Sequence, residues 1–88
     1  MNWRVYYLYS KKLNKYYLGK TNDLNRRLKE HNNYEELYTK RGVPWILIGY
    51  IECRDSQEAY HTENKLKKSK NKKYTKWYIE NNGIIMDR

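Results

Sequence analysis

Two polar residues are placed side by side on the first helix that the sequence predicts. Arg27 and His31 are four residues apart in the segment TNDLNRRLKEH, so their side chains would project from neighbouring turns. Each follows a leucine by three residues, Leu24 or Leu28, and therefore flanks the apolar stripe that should face the protein. Arginine can bind phosphate oxygens through paired hydrogen bonds, and histidine can exchange a proton near neutral pH. An ordinary solvated helix face is the alternative.

Glu63 lies within the apolar stripe of a second predicted helix. Ala59 and Leu66 are seven residues apart and share one face, with Glu63 between them. Because burying an unpaired charge is costly, this carboxylate needs a partner. A nearby lysine or arginine would make it an ion pair, which periodicity alone favours. The functional alternative is a metal ligand or an acid–base group.

Two tyrosines and a glycine on a predicted hairpin complete the set of residues that could carry chemistry. If the turn centres between Lys11 and Lys12, Tyr6 and Tyr17 lie directly opposite each other. Tyrosine rings can pack in a core while their hydroxyls still reach a ligand. Gly19 has no side chain, so it could allow a ligand or another backbone segment to approach closely.

The elements that would position these residues follow the order β-β-α-β-α-α. Strands are predicted at residues 3–10, 15–20 and 45–53, and helices at residues 24–32, 55–69 and 74–81. The last strand is apolar on both faces, which is typical of a central strand covered on both sides. The pattern indicates one α+β domain over residues 1–88, with a small, mainly antiparallel sheet flanked by helices.

Composition indicates a folded domain with a polyanionic partner. The chain has 88 residues, a net charge of +9, 11 tyrosines and 3 tryptophans. An aromatic content of 16% argues against disorder. The excess of positive charge makes nucleic acid the first candidate partner.

Cysteine use and hydropathy indicate the cytoplasm as the expected compartment. The single cysteine, Cys53, excludes an intramolecular disulfide and a Cys-rich zinc site. No apolar stretch reaches the roughly 18 residues that a membrane span needs. The N-terminal segment MNWRVYY lacks the pattern of a signal peptide.

Residues 65–76, KLKKSKNKKYTK, contain seven lysines in twelve positions. A solvated helix end is one interpretation. In so basic a chain we favour contact with a phosphate backbone, because lysine offers a point charge without base recognition. The predicted nucleic-acid-binding residues are Lys65, Lys67, Lys68, Lys70, Lys72 and Lys73.

Together these segments resemble the GIY-YIG nuclease domain family, and most of all its small stand-alone bacterial members. The resemblance is carried by RVY at 4–6, YLG at 17–19, T-x-D-L-x-x-R-L-x-x-H at 21–31, TKRGVPW at 39–45 and A-x-x-x-E-x-x-L-K at 59–67. It implies a three-stranded antiparallel sheet flanked by helices. It also implies hydrolysis of DNA phosphodiester bonds with one divalent cation, Mg²⁺ or Mn²⁺.

The resemblance also implies roles for individual residues. Tyr6 and Tyr17 match the two motif tyrosines, Arg27 the catalytic arginine and Glu63 the metal-binding glutamate. His31 matches a histidine that is frequent at this position. Tyr6, Tyr17 and His31 all stay candidates for the general base. Without a separate domain that recognises base sequence, the protein is expected to select DNA by its structure.

Two departures from the family pattern define the alternatives. Arg4 replaces the first motif glycine and could narrow the site, and no residue matches an asparagine that supports activity in many members. A nucleic-acid-binding module with weak or lost catalysis would accommodate both. A small domain that binds protein through its tyrosines and tryptophans would explain the aromatic content but not the charge.

Overall fold

An antiparallel sheet packed between helices forms the framework of the protein, as seen in a computed structural model that describes residues 2–86. The strands are β1 (Trp3–Ser10), β2 (Lys15–Thr21), β3 (Trp45–Cys53) and β4 (Ile84–Ile85), and the helices are α1 (Leu24–Asn32), α2 (Ser56–Ser69) and α3 (Lys72–Asn82). The strand order across the sheet is β2-β1-β3-β4.

The α+β class and the three helices agree with the prediction, but the prediction of three strands is wrong. The fourth strand, β4, contains only two residues and pairs with Gly49 and Tyr50 of β3. Two apolar residues after a helix-ending glycine are too few for a recognisable strand pattern. The chain therefore adds an edge strand that only the folded sheet reveals.

The predicted register of the first hairpin is also wrong, by two residues. Tyr6 pairs with Gly19, and Tyr17 pairs with Leu8. The turn occupies four residues and ends at Asn14, whose φ of 52° lies in the left-handed region. Because side chains alternate with a period of two, this shift keeps Tyr6 and Tyr17 on the same face of the sheet.

The alternation along β1 divides the core into two layers, as the sequence predicts. Val5 and Tyr7 face α2 and α3 and pack in a cluster that includes Leu66. Tyr6 and Leu8 face the opposite side, in a cluster with Leu24 and Trp45. Cys53 is a buried free thiol in the first cluster.

The loop between α1 and β3 is fixed by buried hydrogen bonds. Ser10 Oγ donates to the Gly42 carbonyl at 2.7 Å, and Trp45 Nε1 donates to the Thr39 carbonyl at 2.7 Å. The Asn32 side chain accepts from the Trp45 amide at 2.7 Å and donates to its carbonyl at 3.1 Å. The loop contains a short 3-10 helix, Lys40–Gly42. These bonds fix the position of Thr39 next to α1.

The starts of the three helices follow local sequence. Asp23, Asp55 and Asn71 each accept a hydrogen bond from a backbone amide of the first turn, which satisfies a donor that the helix leaves unpaired. Within residues 2–86, no helix has both the length and the apolar character of a membrane-spanning segment.

Candidate active site

The ring of Tyr6 lies across Gly19, its partner in the neighbouring strand. A methyl group at Gly19 would lie 2.5 Å from Cζ of the tyrosine ring and would also overlap its hydroxyl. Gly19 therefore makes room for Tyr6 and does not leave an opening for a ligand. The Tyr6 side chain is only 1% exposed, and its hydroxyl lies 2.9 Å from Nε2 of His31.

His31 is completely buried and links Tyr6 to the loop. Its second ring nitrogen, Nδ1, lies 2.7 Å from Oγ1 of the buried Thr39. Burial lowers the pKa of His31, and the nearby Arg27 guanidinium lowers it further. His31 is therefore a neutral imidazole at pH 7, with one nitrogen that donates and one that accepts. The three side chains form a continuous hydrogen-bonded chain from loop to strand.

Tyr6 is a protonated phenol in this environment. Burial raises its pKa to about 12, even though the Arg27 guanidinium acts in the opposite direction. The nearby Tyr17 and Glu63 contribute smaller increases. A free tyrosinate is thus disfavoured here, so Tyr6 can give its proton to His31 only as it gains another from a reacting group.

Arg27 is held by two carboxylates on the rim of the site. Its Nη1 lies 3.0 Å from Glu30 Oε1, and its Nη2 lies 2.7 Å from Glu36 Oε2. Partial burial lowers the pKa of Arg27, but the bonds to Glu36 and Glu30 outweigh it and raise the pKa above the ordinary value. The hydrogen bond from Arg27 lowers the pKa of Glu36. Glu36 is therefore ionised at neutral pH, and a ligand of the guanidinium must compete with it.

Tyr17 forms a wall of the site through its ring. The ring is half-buried and meets the His31 ring edge-on, with 5.2 Å between centroids. It also packs against Tyr6 at 6.3 Å and Trp45 at 6.2 Å. Tyr17 therefore joins the group of predicted site residues, but through packing and not through a hydrogen bond to His31.

Glu63 is nearly buried and is paired with two lysines. Its side chain is 9% exposed, with Oε1 at 3.4 Å from Lys20 Nζ and Oε2 at 3.3 Å from Lys67 Nζ. This double ion pair is the partner that its place in the apolar stripe requires. Both lysines are themselves partly exposed, so either ammonium group can swing into solvent without unfolding the helix.

The surroundings of Glu63 are compatible with the requirements of a magnesium-type cation. Within residues 2–86, no three His, Cys, Asp or Glu side chains form a metal-binding cluster. A zinc or calcium site would need several protein ligands. Mg²⁺ instead binds through one or two carboxylates and completes its shell with water and substrate phosphate. A single buried carboxylate with displaceable lysines is compatible with that mode.

The predicted DNA-binding lysines differ in their surroundings. Lys67, Lys70, Lys72 and Lys73 line cavities on the side of the sheet that α2 and α3 cover. Lys65 instead lies over the Tyr78 ring, 4.6 Å from its centroid. Lys68 is exposed at the end of α2 and is not part of either cavity lining.

Several contributors to the site were not predicted from the sequence. Thr39 lies in a loop, where no periodic pattern predicts that it is buried. Glu36 partners Arg27 and Lys20 partners Glu63 across elements whose packing the sequence does not specify. Glu30 lies three residues after Arg27 on the same helix, and that spacing could have indicated the pair. Strand alternation does place Lys20 on the α2 face of β2, and this is the one pattern that could have indicated it.

Arg4 does not narrow the site, contrary to the expectation. Its guanidinium pairs with Glu52 at 3.1 Å and lies over the Tyr50 ring at 5.4 Å, both on β3. Because β2 and β3 flank β1 on opposite sides, Arg4 turns away from Gly19.

Comparison with protein-family models identifies the family of the chain. The model of the GIY-YIG catalytic domain family matches residues 2–76, which include Tyr6, Tyr17, Arg27, His31 and Glu63. The chain therefore belongs to the GIY-YIG catalytic domain family, whose members are generally endonucleases that act on DNA. Searches of curated proteins and of solved structures found no match, so the assignment rests on the family model.

Proposed function

We propose that this protein is a DNA endonuclease that hydrolyses phosphodiester bonds with a divalent cation and selects DNA by its structure. The observation that carries the proposal is the environment of the Tyr6 hydroxyl. This hydroxyl lies 2.9 Å from the buried, neutral His31, and the Arg27 guanidinium acts on its pKa. The site therefore combines a proton-transfer group with a phosphate-binding cation.

In this proposal Tyr6 and His31 act together as the general base. A phenol whose pKa is about 12 does not readily ionise at neutral pH. Tyr6 would instead take a proton from the attacking water while passing its own to Nε2 of His31. This path requires Nδ1–H of His31 to donate to Thr39, so that Nε2 is the acceptor.

Arg27 is proposed to bind the phosphate oxygens as negative charge develops on them. A phosphate must first take the place of Glu36, Glu30 or both on the guanidinium. Glu36 accepts at 2.7 Å through a partly exposed side chain, so a rotation of that side chain would free Nη2 while α1 stays in place.

Glu63 is proposed to hold Mg²⁺ or Mn²⁺ after Lys20 and Lys67 swing aside. When bound, the cation would act as a Lewis acid on the phosphate. Tyr17 would form one wall of the substrate site, since its half-buried ring packs edge-on against the buried His31.

The same ion pairs support a second candidate, a DNA-binding module with little catalysis. Arg27 is neutralised by two glutamates and Glu63 by two lysines. If DNA does not displace these partners, the protein would bind without cutting.

Cleavage assays with matched variants test the proposal. Duplex, nicked and branched DNA would be incubated with the protein in Mg²⁺ or in EDTA. Glu63→Gln and Arg27→Gln remove the two proposed charges. Glu80→Gln and Arg26→Gln are the controls, because Glu80 is exposed on α3 and Arg26 lies 60% exposed beside Arg27.

We expect metal-dependent cutting that is lost in Glu63→Gln and Arg27→Gln and retained in both controls. DNA binding without cutting by the wild-type protein would instead support the second candidate. Cutting that survives Glu63→Gln would refute the metal-ligand role of Glu63.

A further inference from the structure

A groove with an aromatic floor and a basic rim lies beside the proposed site. It is an open cavity of about 590 Å³ between β2, α2 and the start of α3. Four tyrosines and four lysines line it, and no Asp or Glu does so among the residues that the structure describes. This combination of π-surface and positive charge is not explained by the catalytic scheme.

Two tyrosines present ring surfaces to the groove. Tyr16 stacks on the buried Tyr7, with centroids 4.9 Å apart and planes 12° from parallel. The Tyr9 ring packs against the Tyr16 ring at a tilt, with centroids 4.8 Å apart. Tyr16 is therefore held by two neighbouring rings. Tyr38 is 79% exposed and touches Tyr17 at a centroid distance of 5.9 Å. Large exposed rings at a groove wall are costly in water unless a ligand covers them.

The lysines follow the groove and continue beyond it. Lys67, Lys70 and Lys72 lie along its helical side, and Lys72 Nζ is 5.4 Å from the Tyr16 ring centroid. A second cavity of about 480 Å³ shares Lys72, adds Lys73 and Lys76, and has no acidic lining residue within the described chain. The positive charge therefore forms a path and not a single point.

Two residues connect the groove to the proposed active site. Tyr17 lines the groove and packs against His31. Lys67 lines the groove and pairs with Glu63 at 3.3 Å. A chain that lies in the groove therefore passes next to the Tyr6–His31 pair and the Glu63 carboxylate.

We propose that the groove binds an unpaired DNA strand, with bases stacked on Tyr38 and Tyr16 and phosphates on the lysines. In a duplex the faces of the bases are already stacked on one another, so the bases cannot stack on exposed tyrosine rings. An unpaired strand can use both rings and cations, as single-strand-binding grooves do. The placement of this strand beside the scissile bond rests on the proposed nuclease function.

Binding measurements in EDTA test the groove separately from cleavage. Fluorescence anisotropy would compare labelled oligothymidine of about twelve nucleotides, a length within the usual single-strand site sizes, with a blunt duplex of equal length. Tyr38→Ala removes one platform, and Tyr34→Ala is its control. Tyr34 belongs to the same loop and is 64% exposed but does not line the groove. Lys72→Gln and Lys68→Gln form a second matched pair.

We expect Tyr38→Ala to weaken single-strand binding about fivefold or more, with Tyr38→Trp restoring it. Tyr34→Ala should leave it within about twofold, and duplex binding should change little in all three variants. Lys72→Gln should weaken binding more than Lys68→Gln does. Equal losses for Tyr34→Ala and Tyr38→Ala, or an equal loss on duplex, would overturn the groove assignment.

The outcomes also separate the groove from the nuclease proposal. A wild-type protein that never cuts DNA, yet shows the Tyr38-dependent preference for single strands, would refute the nuclease function and support the groove. A protein that cuts DNA with no contribution from Tyr38 or Lys72 would refute the groove alone.

Discussion

Replacing Gly19 with alanine would place a methyl group against the ring of Tyr6. The three atoms nearest to this methyl all belong to Tyr6, and Cζ would lie 2.5 Å away. An ordinary van der Waals separation between carbon atoms is about 3.5–4.0 Å, so the ring must move by roughly 1 Å. The ring is buried between other side chains, so this movement disturbs the packing around it.

The expected cost follows from this overlap. Inserting a methyl group into a packed core destabilises a protein by about 1–3 kcal/mol. In a domain of this size that loss corresponds to a fall in Tm of roughly 4–8 °C per kcal/mol. Gly19 has no left-handed φ, so alanine without the clash should stabilise the strand by about 0.5–1 kcal/mol. Whether Gly19→Ala raises or lowers the free energy of unfolding therefore depends on the presence of the Tyr6 ring.

Urea unfolding of a double-mutant cycle measures this dependence. Gly19→Ala would be made in the wild-type protein and in Tyr6→Leu, which removes the ring. We expect destabilisation in the first background and a neutral or stabilising effect in the second, with a coupling energy of about 1.5 kcal/mol or more. Gly19→Ala should also reduce DNA cutting, because it pushes the Tyr6 hydroxyl away from His31.

An equal effect of Gly19→Ala in both backgrounds would refute the close approach of Tyr6 to this strand. Gly19 would then be important for another reason, such as access of a ligand to the backbone.

Three further predictions concern the buried histidine and the charge of the surface. Thr39→Val should lower the free energy of unfolding, measured in urea, by about 1–3 kcal/mol because it leaves a buried nitrogen of His31 unpaired. The folded-state pKa of His31 is lowered, so the unfolded chain binds a proton first and stability should fall as the pH drops below about 6.5. Urea midpoints at about pH 7.5 and 5.5 should show this fall, and the difference between the two midpoints should be smaller in His31→Asn. An equal difference in the variant and the wild type would contradict burial of a neutral His31. If four lysines contact phosphates, single-strand affinity measured by anisotropy should fall about fiftyfold between 50 and 200 mM salt, and a salt-independent affinity would exclude backbone contacts.

Local patterns were sufficient to predict most elements of the fold. Helix α1 begins and ends as predicted because Asp23 caps its start and its two leucines repeat at helical spacing. The faces of β1 follow directly from alternation. Strand β4 was not predictable because it depends on pairing with β3 and not on its own two residues. The predicted hairpin register was wrong because it centred the turn between Lys11 and Lys12, whereas the four-residue turn 11–14 centres between Lys12 and Leu13.

The candidate site was predictable where a residue's position relative to an apolar stripe decides its direction. Arg27 and His31 follow leucines by three residues, and Glu63 lies between Ala59 and Leu66, so all three turn toward the protein. Glu30 and Lys67 lie three and four residues after Arg27 and Glu63 on the same helices, a spacing that predicts these two pairs. The other partners come from other elements, so the sequence alone does not indicate that Lys20 also pairs with Glu63.

Thr39 and Glu36 show the limit of this reasoning. Both lie in the loop after α1, where no period relates one residue to the next. Their positions depend on the buried bonds that fix the loop to the sheet, including that from Trp45 Nε1 to the Thr39 carbonyl. Only the folded chain shows that one residue holds His31 and the other holds Arg27.

Cleavage by Tyr6→Phe tests the central claim most directly, because it removes one oxygen atom and keeps the ring. The assay would use the DNA that the wild-type protein cuts best in Mg²⁺, with Tyr7→Phe as the control, since Tyr7 is also buried but faces the other side of the sheet. Proton transfer by a positioned side chain contributes about 10²–10⁴-fold to rates. We predict a loss of about 100-fold or more for Tyr6→Phe, with DNA binding retained and Tyr7→Phe active. Cutting by folded Tyr6→Phe within about twofold of the wild-type rate would contradict the account.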